Sequence, residues 1–386
     1  MSSAGRLPIP TGRRRLRPPL AVAAALAALL VLGGCERPAG TIVTLGGTTT
    51  PGTPGEALWL EFRVGAESAS AGAIHMRPLI YGQLGSEEQL LSGLRRGRIQ
   101  YANLSAQVLS TVVPELTLLY TPYLFADEGE ADYVYDRYLT GLYRGLLAAR
   151  GIHFVTWYEI GFHDVYAREP LILPDDAKGR RFRIASSLNA RLFAEAIGAD
   201  VIPLGFGDIV PALQTGLIDA GENSVTLYSR TGIAGQAPHL TLTNHVLGIS
   251  LIVSQRAWWD SLPESQRRIL TESFPPVERS RAVVRAQTAG DLANAEELGI
   301  VVHRLSPEEL EAWRQATADV SGKLLGEIGG RSREIHARVI TLRDEYRAGR
   351  ATGAQGSPAS VGLAMRPPVS PASGPSSVVG AGAGRG

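Results

Sequence analysis

Residues 157–187 read W-Y-E-I-G-F-H-D-V-Y-A-R-E-P-L-I-L-P-D-D-A-K-G-R-R-F-R-I-A-S-S, and residues 203–223 read P-L-G-F-G-D-I-V-P-A-L-Q-T-G-L-I-D-A-G-E-N. Short apolar runs alternate here with turns and one helical segment. Three side chains of different chemistry stand at the ends of those runs: Arg183, Phe206 and Asn223. Strands alternating with helices indicate the α/β class with largely parallel strands.

The flanking segments extend the pattern. Residues 152–166 form a long apolar run whose only breaker is Gly161, and residues 240–254 form another. An ordinary strand has about five or six residues. Two over-long strands between two α/β units predict hinge strands shared by two lobes. Upstream, strands are expected at 41–45, 73–81 and 99–104, and helices at 56–67, 106–109 and 130–150. The clearest helix start is Ser86, with Gln89 three residues on completing a capping box. Glu87 and Glu88 suit the positive helix N-terminus, Leu90, Leu91 and Leu94 form an apolar stripe, and Gly97 stops the helix. Residues 263–350 read as mostly helical, broken at Pro275-Pro276 and by a short strand at 300–305.

The two ends of the chain are of another kind. Arg13, Arg14, Arg15 and Arg17 precede an uncharged apolar run over 20–32, shorter than the roughly 20 residues a membrane span needs. Leu32-Gly33-Gly34-Cys35 follows. Small residues leading into a cysteine, after a signal-like segment, resemble a bacterial lipobox. That resemblance implies a lipidated Cys35 at the mature N-terminus, with Glu36 compatible with outer-membrane sorting. Cys35 is the only cysteine, so the chain forms no internal disulfide. Residues 351–386 are Gly, Ala, Ser, Pro and Val with few charges, a composition that cannot offset its ordering entropy.

The net charge of +1 and 44% hydrophobic content fit a globular protein. Lys178 and Lys323 are the only lysines, and no basic stripe interleaved with aromatics appears, which speaks against nucleic acid. No nucleophile elbow, zinc-ligand spacing, P-loop or dinucleotide fingerprint is present. The seven histidines are scattered singly. Neither catalysis nor a metal or other cofactor is expected.

Several blocks together resemble the substrate-binding proteins of tripartite ATP-independent periplasmic (TRAP) transporters, of the DctP type. They are G-Q-L-G-S-E-E-Q-L-L with R-R-G-R-I-Q, T-P-Y-L-F-A-D, P-D-D-A-K-G-R-R-F-R-I, A-L-Q-T-G-L-I-D-A-G-E-N, L-T-L-T-N-H and W-W-D-S-L-P. Their order and spacing cover about residues 41–350. The resemblance implies a two-lobed periplasmic-binding-protein clamshell with hinge strands and a helical C-terminal region. It implies a small organic acid as ligand, TRAP membrane subunits as partners, a periplasmic location, and contact with the membrane only through the lipid anchor. A sensing role beside a membrane signalling receptor is the alternative use of the same fold. The expected division is a leader (1–34), an anchor linker (35–40), lobe I (41–160 and 249–288), lobe II with C-terminal helices (161–248 and 289–350) and a disordered tail (351–386).

The resemblance places a carboxylate-binding arginine at Arg183. A guanidinium meets a carboxylate with two parallel hydrogen bonds; from spacing alone, a surface arginine fits equally, as Arg180 or Arg181 does. Phe206 is read as a cover over the ligand or as core. Asn223 either donates to the ligand or caps the next helix. Asp219 and Glu222 are expected to hold the turn. His163 stands where many relatives carry a second arginine, so it is either a ligand donor, cationic at lower pH, or a histidine held within the hinge. One fixed cation favours an acid with one strongly held carboxylate. Strand alternation puts Trp157, Glu159 and Gly161 on one face and Tyr158 and Phe162 on the other; Trp157 and Glu159 are taken as ligand-facing candidates. Ser105 and Gln107 are the hydrogen-bonding candidates of lobe I, in a region with no acidic residue of its own. Trp258 and Trp259 are expected to pack.

Overall fold

The computed structural model describes residues 40–351. Cys35, the leader before it and the tail after Ala351 lie outside those residues. The strands are β1 (Thr41–Gly46), β2 (Ile74–Leu79), β3 (Tyr101–Ser105), β4 (Ile152–Ala167), β5 (Arg181–Ile184), β6 (Asp200–Pro203), β7 (Ala220–Ser224), β8 (His239–Gln255) and β9 (Val301–His303). They join in one mixed sheet of order β2-β1-β3-β8-β4-β7-β5-β6, with β9 paired to β8.

The two long strands organise everything else. β4 and β8 pair antiparallel from Ile152 opposite Gln255 to Ala167 opposite His239. β3 joins β8 only at one end, Ser105 opposite Ser250 to Tyr101 opposite Ser254. β7 joins β4 only at the other end, His163 opposite Ser224 to Ala167 opposite Ala220. The outer strands thus gather at opposite ends of a shared ladder. The result is two lobes with a waist of two strands between them.

Each lobe closes its own core. In the first, Trp59, Phe62, Tyr101 and Phe274 meet on one face of the sheet, with the rings of Phe62 and Phe274 4.9 Å apart. Trp258 and Trp259 belong to this packing, and Trp259 stacks on His153. In the second lobe, Phe182, Phe193 and Trp313 fill one face of the sheet, and Tyr166, Leu213 and Tyr228 fill another cluster.

Two local features depart from simple periodicity. The helix expected over 130–150 is Glu128–Val134, a π-helical turn at Tyr135–Leu139, and Thr140–Ala148. The wider turn lets Thr140 Oγ1 donate to the Tyr135 carbonyl at 2.8 Å and accept from the Trp157 indole at 2.8 Å. π-turns of this kind interrupt α-helices where one residue is inserted. The second departure lies in β4, whose register against β8 shifts between Glu159 and Gly161 and again near His163. A bulge re-aims the side chains beyond it. Gly161, at φ +99°, supplies a backbone conformation that L side chains rarely adopt.

Candidate functional site

A cavity of about 600 Å³ opens between the lobes. The loop 48–54, the first turn of the helix Glu87–Arg95 and the end of β3 wall it from the first lobe. Tyr158, Ile160 and His163 line it at the waist. Arg183, Phe206, Glu222 and Asn223 line it from the second lobe. Of the residues singled out in the sequence, Ser105, His163, Arg183, Phe206 and Asn223 therefore share one cavity.

Trp157 and Glu159 do not reach it. Trp157 is 2% exposed and packs edge-on against Tyr135, Tyr143 and Phe154. Glu159 is 2% exposed and accepts from Arg285 Nη2 at 2.6 Å and Nε at 2.9 Å. Arg285, on the helix Val277–Ala293, also bonds both oxygens of Asp132. Both candidates are thus corrected: they lie on the face of β4 turned to the first lobe's helices. Tyr158 and Ile160 occupy the cavity face, and the register shift beyond them brings His163 there in place of Phe162.

Arg183 stands third in β5 and is 6% exposed. Its Nε and Nη2 both donate to the Leu204 carbonyl, at 3.0 and 2.8 Å. This pins the plane of the guanidinium, and among the described residues no carboxylate is ion-paired with it. Two residues away, Arg181 points outward and makes a two-pronged pair with Asp219 at 2.8 and 2.6 Å, so Asp219 holds the turn as expected. Asn223 is buried, and its Oδ1 accepts from the Ser224 amide at 2.9 Å. That bond fixes the side-chain amide at the start of the helix Val225–Arg230. Phe206 is partly buried, packing on the second lobe's core while lining the cavity.

At the first-lobe wall, the Ser105 hydroxyl is already committed. It donates to Glu87 Oε2 at 2.8 Å and accepts from the Val108 amide at 3.2 Å. Glu87 Oε1 accepts from the Ser105 amide at 2.8 Å. An acid does stand in this region, contrary to the sequence reading, because Glu87 reaches in from the capped helix. Burial pushes its carboxyl above the usual range, against the lowering effect of those two bonds. Beside it, Gln107 Nε2 and Asn103 Oδ1 are buried without a partner among the described residues.

Glu222 forms the second buried acid. One of its oxygens bonds His163 Nδ1 and lies 3.9 Å from His245 Nε2. Burial opposes its ionisation, but the charge and hydrogen bond of His163, aided by His245 and Arg183, hold it down at about 2. His245 stacks on Phe193, its Nδ1 bonds Thr243 Oγ1 at 2.9 Å, and burial pushes it down to about 3. Glu222 was legible only as a turn residue; its partner lies 59 positions upstream. Among the described residues no group of three or more His, Cys, Asp or Glu could hold a metal ion, and no helix is long and apolar enough to cross a membrane.

Known proteins share this architecture. The C4-dicarboxylate-binding periplasmic protein DctP of Rhodobacter capsulatus is 26% identical over 320 residues, 82% of this chain and 95% of that protein. The ectoine-binding periplasmic protein TeaA of Halomonas elongata is 23% identical over 270 residues, 66% and 76% of the two chains. The sugar acid binding protein DctPAm of Advenella mimigardefordensis, solved with galactonate, shares the fold at a TM-score of 0.75 and 24% identity, over 79% of this chain and 98% of that one. A TRAP periplasmic solute binding protein of Shewanella oneidensis, solved with succinate, does so at 0.75 and 21%, over 79% and 100%. Residues 45–325 match the family described as bacterial extracellular solute-binding protein, family 7 (DctP). The chain belongs to that family, the two-lobed solute-binding proteins of TRAP transport.

Proposed function

We propose that this protein captures a small organic acid between its lobes and delivers it to the membrane subunits of a TRAP transporter. The carrying observation is Arg183: a buried guanidinium on the cavity wall, held flat on the Leu204 carbonyl, with which no carboxylate among the described residues is ion-paired. A buried charge without a counter-ion is costly, and a ligand carboxylate supplies that counter-ion with bidentate geometry. Asn223 adds a neutral amide and Phe206 an apolar cover. The acids Glu87 and Glu222 in the same cavity favour one strongly held carboxylate over two.

The waist of β4 and β8 is the natural hinge, with residues 41–160 and 249–288 as lobe I and 161–248 and 289–350 as lobe II. A ligand touching both lobes closes them to the extent that it binds the closed form better. A lipid on Cys35, left at the mature N-terminus once the leader 1–34 is removed, would tether the receptor to a membrane facing the periplasm. Calorimetry on wild type and Arg183→Ala with a panel of carboxylates tests the site. The variant is expected to lose at least about 100-fold in affinity, in the range of a charged hydrogen-bonded pair losing one partner. Unchanged affinity would show that the acid sits elsewhere.

A further inference from the structure

His163 has one ring nitrogen in use and one waiting. Nδ1 is bonded to Glu222, while Nε2 is buried without a partner among the described residues, in a side chain 6% exposed on the cavity wall. Gly248 on β8 makes the room: a Cβ there would collide with Nε2 and Cδ2 of this imidazole. The carboxylate on Nδ1 fixes the ring, so Nε2 carries a hydrogen only in the imidazolium or in the tautomer that gives up the Glu222 bond.

We propose that His163 makes capture of a second ligand carboxylate proton-linked, so that a dicarboxylate enters with one proton from solvent and a monocarboxylate enters with none. The inference rests on the carboxylate reading of Arg183. Its reason is charge balance. A second carboxylate near Nε2 also approaches Glu222, and Glu87 stands on the same cavity. With neutral His163, that end of the cavity repels it. With the imidazolium, Nε2–H donates to the ligand while Nδ1–H stays on Glu222, and the pair becomes neutral. The other groups around the imidazole do not replace that proton. His245 on β8 lies 3.9 Å from the Glu222 oxygen that His163 Nδ1 already bonds. Tyr120 presents its ring edge-on at 6.0 Å and spends its hydroxyl on Ile249. Asp164, next in β4, is turned to the Asn244 amide. Arg183 is the cation for the first carboxylate.

The test is calorimetry of the full chain with succinate and D-glucuronate between pH 5.5 and 8.5, in buffers of different ionisation heat. For succinate, affinity is expected to rise on acidification with proton uptake of up to one per ligand bound; for glucuronate, neither is expected. His163→Gln should abolish the proton uptake and flatten the succinate profile. His163→Arg should make succinate binding tight and pH-independent, and it guards against a glutamine variant that folds poorly. Succinate binding without proton uptake by wild type, or uptake surviving in His163→Gln, overturns the proposal and leaves the carboxylate reading intact. Absence of Arg183-dependent binding by either acid at every pH overturns that reading and this inference with it.

Discussion

One strand, β4, carries two buried charge clusters that behave in opposite ways. At Glu159 the carboxylate meets Nε and Nη2 of Arg285, and Arg285 in turn meets Asp132. Every strong donor and acceptor there has a partner inside the protein. At His163 the counter-ion Glu222 takes one nitrogen, and the other has no partner among the described residues. The first cluster faces the helices and the second faces the cavity. A buried charge that is tied on all sides holds structure together, whereas one with a vacant hydrogen-bonding position can respond to a ligand or a proton.

The largest effect is expected from breaking the tied cluster. Arg285→Ala leaves Glu159 buried with no cation, and removing one partner of a buried pair costs about 3 kcal/mol or more. Urea unfolding measures this, and a loss below about 1 kcal/mol would mean that Glu159 is supported by something else. Ligand affinity of the folded protein should change little, because Arg285 does not line the cavity.

Acid should act next, through two carboxylates that adjoin His163. Glu222 has its folded pKa lowered from 4.5 to about 2. Its stabilising contribution is therefore present above about 4.5 and is lost as pH falls from there towards 2, on the order of 3 kcal/mol. Asp164 has the opposite sign. Burial pushes it from 3.8 up to about 7, against the lowering effect of the Asn244 amide. Its contribution is present below 3.8 and is lost as pH rises through about 7. Thermal melts across this range should show Glu222→Gln flattening the acid limb and Asp164→Asn flattening the limb between about 4 and 7. If neither limb moves, the pairing of Glu222 with His163 does not set the stability profile.

A smaller, more local effect is expected at Gly248. Gly248→Ala puts a methyl against the His163 ring and 3.0 Å from the Gly161 carbonyl. Overpacking of this kind costs about 1–3 kcal/mol, and here it should also push the imidazole off the cavity wall. The variant should fold with a lowered midpoint and bind succinate without proton uptake. Wild-type proton uptake in this variant would place the titrating group elsewhere.

Much of the frame was legible because its signals are local. The over-long strands stood out as two apolar runs, and the structure has them at 16 and 17 residues. The Ser86–Gln89 capping box was written within four residues, and the Gln89 side chain does accept from the Ser86 amide at 2.8 Å. The cavity face of β4 was not legible, because alternation assumes an unbroken pleat and the register shift between Glu159 and Gly161 reverses it. Trp157 was misplaced for a related reason: its indole bonds a threonine that a π-turn presents. Glu87 was read as a helix-dipole residue, and nothing across the 18 positions that separate it from Ser105 pointed it there. The Arg285–Glu159 pair spans 126 positions and is set by tertiary packing alone. Arg183 was found because the motif around it is contiguous, but its fixation on Leu204 depends on β6 and the loop beyond it.

The smallest stability effect belongs to the outermost charge, and it sharpens the same contrast. Arg181 and Arg183 are separated by one residue in β5, so strand periodicity puts both on one face; Arg181 stands at the exposed start of the strand and Arg183 is buried further along it. Arg181 pairs with Asp219 in ideal two-pronged geometry, yet its side chain is 49% exposed. Solvent screens such a pair, and ordering the two side chains offsets much of what remains. Arg181→Ala is therefore expected to leave both the urea midpoint and carboxylate affinity unchanged within error. Arg183→Ala should also move the midpoint little, since no carboxylate among the described residues is ion-paired with it, but it should abolish binding. If Arg181→Ala weakened binding as much as Arg183→Ala, both arginines would act through the integrity of β5, and the distinction between a satisfied charge and an open one would fail at the position where it matters most.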